Sequence, residues 1–162
     1  DIERNAGVPL RGKKVLLLGA GGAARGAILP LCEAGVASIT IANRTTAKAR
    51  ALADAFCAQG KILAQDIDAL EGGFDIVINA TSASIEGELP SVRPDVFAPG
   101  ALAYDMMYGK EPTVFLRFAA KHGAATRDGL GMLVEQAAEA FLLWRGVRPD
   151  TEPVYAAMRA GE

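Results

Sequence analysis

The sequence predicts an α/β fold, a doubly wound parallel sheet with helices on both faces. Three observations carry this. Short apolar runs bounded by glycine alternate with helical stretches through almost the whole chain. The runs are apolar throughout rather than alternating with polar residues, which is how strands buried on both faces read. The pattern divides at Gly72-Gly73 into two halves, each rich in strand–helix–strand units. That is the layout of a Rossmann-type sheet, with the strand order 3-2-1-4-5-6.

The elements follow in order. Lys13 to Leu18 is apolar and stops at Gly19, so it reads as a buried strand. Ala23 to Ala34 is a helix closed by Gly35, and Ser38 to Ala42 a second strand. Thr45 is placed to cap a helix running to about Ala58. Lys61 to Gln65 is a third strand, and Asp75 to Asn79 a fourth that ends in the polar loop ATSASIEGELP. Ala101 to Asp105 is a fifth strand, Thr113 to His122 a helix, and Ala124 to Arg127 a sixth, short strand. A long helix spans Gly129 to Arg145 and a last one about Pro153 to Arg159.

Composition sets the outer limits. With 162 residues the chain has the size of one domain, and 51% apolar content is enough for a real core. A net charge of -2 gives no electrostatic case for nucleic acid or an anionic membrane surface. The longest apolar stretch, Val15 to Ala24, is far too short to span a bilayer. The acidic, polar start DIERNAG is unlike a signal peptide. Cys32 and Cys57 fall in expected helices and read as buried free thiols, which points to a reducing, cytoplasmic setting. No His/Cys cluster suggests a metal. Asn43-Arg44-Thr45 and Asn79-Ala80-Thr81 match a glycosylation sequon, but both sit at strand ends, and that reading is set aside.

The strongest local signal is Gly19-Ala20-Gly21-Gly22-Ala23-Ala24-Arg25-Gly26. Gly19 turns straight off the strand, and Gly21, without a Cβ, lets backbone approach a pyrophosphate. Ala24 is small enough for helix and strand to pack closely, and free N–H groups at the helix start face the anion. The turn follows a strand and opens a helix, the context that gives it meaning. The second strand ends Ala42-Asn43-Arg44-Thr45. Domains that prefer NAD place a carboxylate near here for the ribose 2′-hydroxyl. This chain has Asn43, Arg44 and, one turn on, Lys48. Cations at a helix N-terminus oppose the macrodipole unless an anion joins them, and a 2′-phosphate would do so. The fourth strand ends Ile78-Asn79-Ala80-Thr81-Ser82, and its carboxyl end places Asn79 and Thr81 against the middle of such a cofactor.

These segments lie in order with YDMMYGKEPTVFL and DGLGMLVEQAAEAFLLWRG after them, and together they resemble the NADP-binding domain of the shikimate dehydrogenase family over nearly the whole chain. The resemblance implies an oxidoreductase that reduces 3-dehydroshikimate to shikimate with NADPH, in aromatic amino-acid biosynthesis. It implies Gly21, Gly22 and Ala23 along the pyrophosphate, and Asn43, Arg44, Thr45 and Lys48 around the 2′-phosphate. Thr81 and Ser82 would line the nicotinamide side, with Met106 and the backbone of Gly129 flanking the ring. Tyr108 and Gln136 would reach the substrate. Separately, the surplus of apolar faces on the helix from Gly129 leads to the expectation that Met132 and Gln136 face the cofactor cleft.

The departure from the family also matters. Members carry an N-terminal substrate domain of roughly a hundred residues, which supplies a catalytic Lys-Asp pair, and no residue here matches either. Asp105 is no substitute, since in the resemblance it belongs to the structural YDM turn. The chain is therefore expected to be a cofactor domain, inactive alone. Its last long helix agrees: Leu130, Leu133, Val134, Ala137, Phe141 and Trp144 form one apolar stripe, and Met132, Ala140 and Leu143 lie on other faces. A helix apolar on several sides expects cover on several sides, so the helices over about 129–160 are expected to pack partly on another domain. A free-standing NADP-binding or regulatory module, or a quinate/shikimate relative, remains as an alternative. His122, in the last turn of its helix, suits the dipole rather than catalysis.

Overall fold

A computed structural model describes residues 1–83 and 87–161. Ser84, Ile85 and Glu86, in the polar loop after the fourth strand, lie outside the described residues. The sheet has six parallel strands in the order β3-β2-β1-β4-β5-β6. They are β1 Lys14–Leu18, β2 Ser38–Asn43, β3 Ile62–Asp66, β4 Phe74–Asn79, β5 Phe97–Asp105 and β6 Ala125–Arg127. The helices are α1 Gly22–Glu33, α2 Thr46–Ala55, α3 Val114–Lys121, α4 Leu130–Arg145 and α5 Glu152–Ala160, with short 3₁₀ turns at Ile67–Ala69 and Pro94–Val96. The expected fold class and strand order are those observed.

Each strand sends alternate side chains to the two faces. Val15 and Leu17 of β1 join Ile39, Ile41, Ile76 and Ile78 under α1 and α2. Leu16 and Leu18 join Val77, Ala103 and Phe115 under α3. Burial on both faces explains why the strands read as unbroken apolar runs. The first ten residues form no regular element. Ile2, Ala6, Val8 and Leu10 nevertheless pack on the α1–α2 face, as does Met132 of α4.

Three expectations need correction. β5 starts at Phe97, not Ala101: Phe74 pairs with Phe97 and Ile76 with Leu102, so the extra residues bulge out around Gly100, whose φ is +74°. Phe97 is held there by Phe115 and Phe118, at ring distances of 6.4 and 6.3 Å. α2 stops at Ala55 with Phe56 as its cap, so Cys57 is an exposed thiol in the following turn, not a buried helical one. Cys32, in α1, is half-buried, and burial pushes its thiol up. Among the described residues no helix is long and apolar enough to cross a membrane.

Candidate functional site

β1, β2 and β4 end level, with Leu18 opposite Ala42 on one side and Asn79 on the other. A cleft of about 680 Å³ opens at these carboxyl ends, within the usual size of small-molecule sites. Residues 19–23, 42–44, 67–68, 80–83, 88–91 and 106–107 line it. Gly19 leaves β1 with φ +105°, and a Cβ there would lie 3.0 Å from the Ala80 carbonyl oxygen. Nothing lies within 4 Å of where a Cβ on Gly21 or Gly22 would sit, so the cleft is open in front of the turn. Gly21 is the N-cap of α1, and no side chain caps that helix or puts an acid in its first turn. Its leading N–H groups are thus offered to an anion. Ala24, fully buried, lets α1 approach the sheet.

At the end of β2, Arg44 is exposed in the cleft wall beside Asn43. The Asn43 amide donates to the Thr45 carbonyl at 3.1 Å and so shapes the turn into α2. Thr45 holds the N-cap position, but its hydroxyl makes no capping bond, contrary to expectation. Lys48 is exposed on the first turn of α2 and is not among the lining residues. Across from Asn43, Asp66 accepts from the Asp68 N–H at 3.0 Å and the Thr46 hydroxyl at 2.9 Å. Those bonds hold the Asp66 carboxyl below its ordinary range. Ile67 and Asp68 line the cleft although sequence reasoning passed over them, because a 3₁₀ turn leaves no periodic signal.

Asn79 is fully buried and does not line the cleft. Its side-chain oxygen accepts from the Thr81 N–H at 3.2 Å and the Thr81 hydroxyl at 2.7 Å, and so places Thr81 and Ser82 in the wall. Asp105, also buried, accepts from the Met107 N–H at 3.0 Å and the Thr113 hydroxyl at 2.6 Å, which fixes the turn after β5. Met106 and Met107 form the lip of the cleft. Gly129 lies behind it rather than in the wall: its N–H donates to the Met107 carbonyl at 3.0 Å, and a Cβ there would collide with the Met106 carbonyl oxygen. Met132 packs on the core, and Gln136 opens instead on an apolar groove of about 300 Å³ between α4 and α5. Tyr108 is exposed in the loop after β5.

The C-terminal elements attach largely through charges. Arg127 holds the buried Asp1 carboxylate with its Nε and Nη2, at 3.0 and 2.7 Å, and Tyr104 donates to the same carboxylate at 2.6 Å. Burial pushes the Tyr104 phenol well above its ordinary range. The Arg127 and Arg159 guanidinium groups lie 5.4 and 5.3 Å from the Tyr155 ring. Arg159 also grips both oxygens of Asp128. Glu135 joins Arg4, Arg148 and Thr151. The sequence alone points to none of this network. At the far end of α4, Leu143 and Trp144 are 83% and 80% exposed.

Comparison with known proteins places the chain. The family model described as shikimate / quinate 5-dehydrogenase matches residues 2–86, and that of the shikimate 5′-dehydrogenase C-terminal domain matches residues 129–159. A shikimate dehydrogenase (NADP(+)) of Janthinobacterium sp. (strain Marseille) is 60% identical over 98% of this chain and 58% of its own length. The crystal structure of an Ael1 enzyme from Pseudomonas putida superposes with a TM-score of 0.87 at 53% identity, over 96% of this chain and 58% of that one. Shikimate 5-dehydrogenase from Thermus thermophilus, solved with NADP(H) and shikimate, has a TM-score of 0.82 at 33% identity, over 99% of this chain and 59% of that one. The chain thus spans under two thirds of the relatives it matches. By the match of the first model over more than half its length, the chain belongs to the shikimate / quinate 5-dehydrogenase family.

Proposed function

We propose that the chain is the NADP(H)-binding domain of a shikimate dehydrogenase that reduces 3-dehydroshikimate to shikimate. The observation that carries this is one cleft shared by an uncapped helix N-terminus behind an open Gly21-Gly22 turn and by Arg44 at the end of β2. The first suits a pyrophosphate and the second a 2′-phosphate. The NADP(+) in the relatives' names supports the same cofactor.

NADPH, when bound, supplies the hydride. The N–H groups at residues 21–23 hold the pyrophosphate, and Asn43 and Arg44 hold the 2′-phosphate, with Thr45 and Lys48 beside them on α2. Thr81 and Ser82, ordered by Asn79, and Met106, backed by Gly129, form the nicotinamide side. The methionines of the lip keep water off that side. Tyr108 is assigned to the substrate, and so is Gln136, which reaches it from the α4–α5 groove where the further domain docks. The substrate is held largely by a further domain, and the apolar α4–α5 groove with Leu143 and Trp144 seats part of it.

The test is turnover by the full-length protein, with shikimate and NADP⁺ against quinate and against NAD⁺. Shikimate with NADP⁺ is expected to be the best pair. Absence of shikimate turnover overturns the proposal.

A further inference from the structure

Resting on that reading, we propose that Arg159, on α5, is a positioning residue for the nicotinamide side of the cleft: it braces the turn between β6 and α4, and that turn holds the Met106–Met107 lip. The route is short and continuous. Arg159 Nη1 donates to Asp128 Oδ2 at 2.9 Å, and Nη2 pairs with Oδ1. Asp128 Oδ1 also accepts from the Leu130 N–H at 3.3 Å, where α4 begins. Between them stands Gly129, whose N–H donates to the Met107 carbonyl and whose Cα has no room for a Cβ against Met106. Turn and lip therefore move together.

On the sheet side the lip is anchored by the Met106 side chain, which packs on the core, and by two hydrogen bonds. The Met106 N–H donates to the Asn79 carbonyl at 3.0 Å, and the Met107 N–H to Asp105 Oδ1 at 3.0 Å. On the outer side the support comes through Asp128 and Gly129. α5 has no fully buried residue of its own, so its polar contacts bear much of its attachment. Tyr155 shapes the brace: its hydroxyl accepts from Arg159 Nε at 3.1 Å and from Arg127 Nη2 at 3.3 Å. A partly exposed ion pair contributes little to global stability, but a two-point guanidinium–carboxylate contact fixes orientation.

The test uses the full-length protein carrying Arg159→Ala or Arg159→Lys. Amide hydrogen exchange at Gly129 reports the brace without activity. In Arg159→Ala it is expected to speed up by about tenfold, while the amides of the β1–α1 turn keep their wild-type rates. Because small misplacements of a reacting group are costly, kcat is expected to fall by about tenfold. Affinity for 2′,5′-ADP, which lacks the nicotinamide half, should stay at the wild-type value. Arg159→Lys should recover part of both losses. Unchanged exchange at Gly129 overturns the proposal, as does faster exchange with wild-type kcat. A parallel loss of 2′,5′-ADP affinity also overturns it, since that marks general loosening. A wild-type protein that neither binds 2′,5′-ADP nor turns over shikimate overturns the functional reading and the positioning role with it, whereas the exchange result judges the brace separately.

Discussion

At Gly19 the chain leaves β1 with φ +105° and passes 3.0 Å from the Ala80 carbonyl oxygen, measured from where a Cβ would be. Both features oppose any side chain, so Gly19→Ala should cost about 1–3 kcal/mol. Urea unfolding measures it, and an unchanged midpoint would show that the turn relaxes freely. Arg44 is a different case, since the role proposed for it is toward a ligand. A charge-assisted hydrogen bond contributes about 1.5–3 kcal/mol, so Arg44→Ala should weaken NADPH binding by roughly ten- to a hundredfold and leave NADH nearly untouched. Isothermal titration with both cofactors decides, and an equal loss for the two would remove the 2′-phosphate assignment. The turn at Gly19 and the place of Arg44 in the cleft wall were legible because both depend on immediate neighbours along the chain. Asn79 was only half legible. A strand-end Asn is visible in sequence, but its complete burial, with its side chain turned to Thr81, follows from packing between β1 and β5.

The elements that could be read from sequence are those with one continuous signal. Among the described residues, six strands and five helices overlap the runs expected for them, although α2 ends earlier, at Ala55, and β5 begins earlier, at Phe97. The start of β5 could not be read, since its bulge depends on pairing with Phe74 more than on its own residues. The attachments of β6 and α5 were also hidden, because Arg127 meets Asp1 across 126 positions and Arg159 meets Asp128 across 31. Glu135 gives a direct measure of such attachment. Burial raises its pKa, but the Thr151 hydroxyl and Arg148, with Arg4 nearby, outweigh this and leave the carboxyl below its ordinary 4.5. A depressed folded-state pKa means stability that is present above pH 4.5 and is lost as pH falls through the folded value. Glu135→Gln should therefore flatten the acid limb of the stability curve, followed as urea midpoints from pH 6 downward. An acid limb as steep as wild type would show that Glu135 does not join these elements in solution.

At the scale of the molecule, the sheet presents a cleft at the carboxyl ends of its central strands and an apolar helical surface elsewhere. Ketone reduction needs a hydride donor, a proton source and a fixed substrate. In the proposed reading the cleft answers the first. His122 packs on Phe118 at 4.7 Å at the end of α3, and Asp105 is committed to the turn after β5, so neither is placed for proton transfer. Losing a general acid costs about 10²–10⁴-fold, and losing substrate orientation costs still more. The 162-residue chain alone is therefore expected to bind NADPH yet to reduce no NADP⁺ above background with shikimate at high concentration. Steady turnover in that assay, followed at the NADPH absorbance, would place the proton source within this chain and overturn the division of labour. Turnover restored by supplying the rest of the protein in trans would support it.

The pairing of β1 with β4 has a further consequence, for synthesis. Of the six strands β1 is made first, and its inner neighbours are β2 and β4. Val15 to Leu18 can be covered on one side as soon as β2 follows, but the other side waits for Ile76 to Asn79. At about 5–20 residues per second, the ribosome leaves that edge open for roughly 3–12 seconds. During this interval a strand apolar on both faces carries a row of backbone donors and acceptors not yet paired within the protein, the geometry on which nascent chains aggregate. The Gly-rich turn that opens onto the cleft thus emerges next to an open, apolar strand edge, and a holdase covering β1 would also shield that turn.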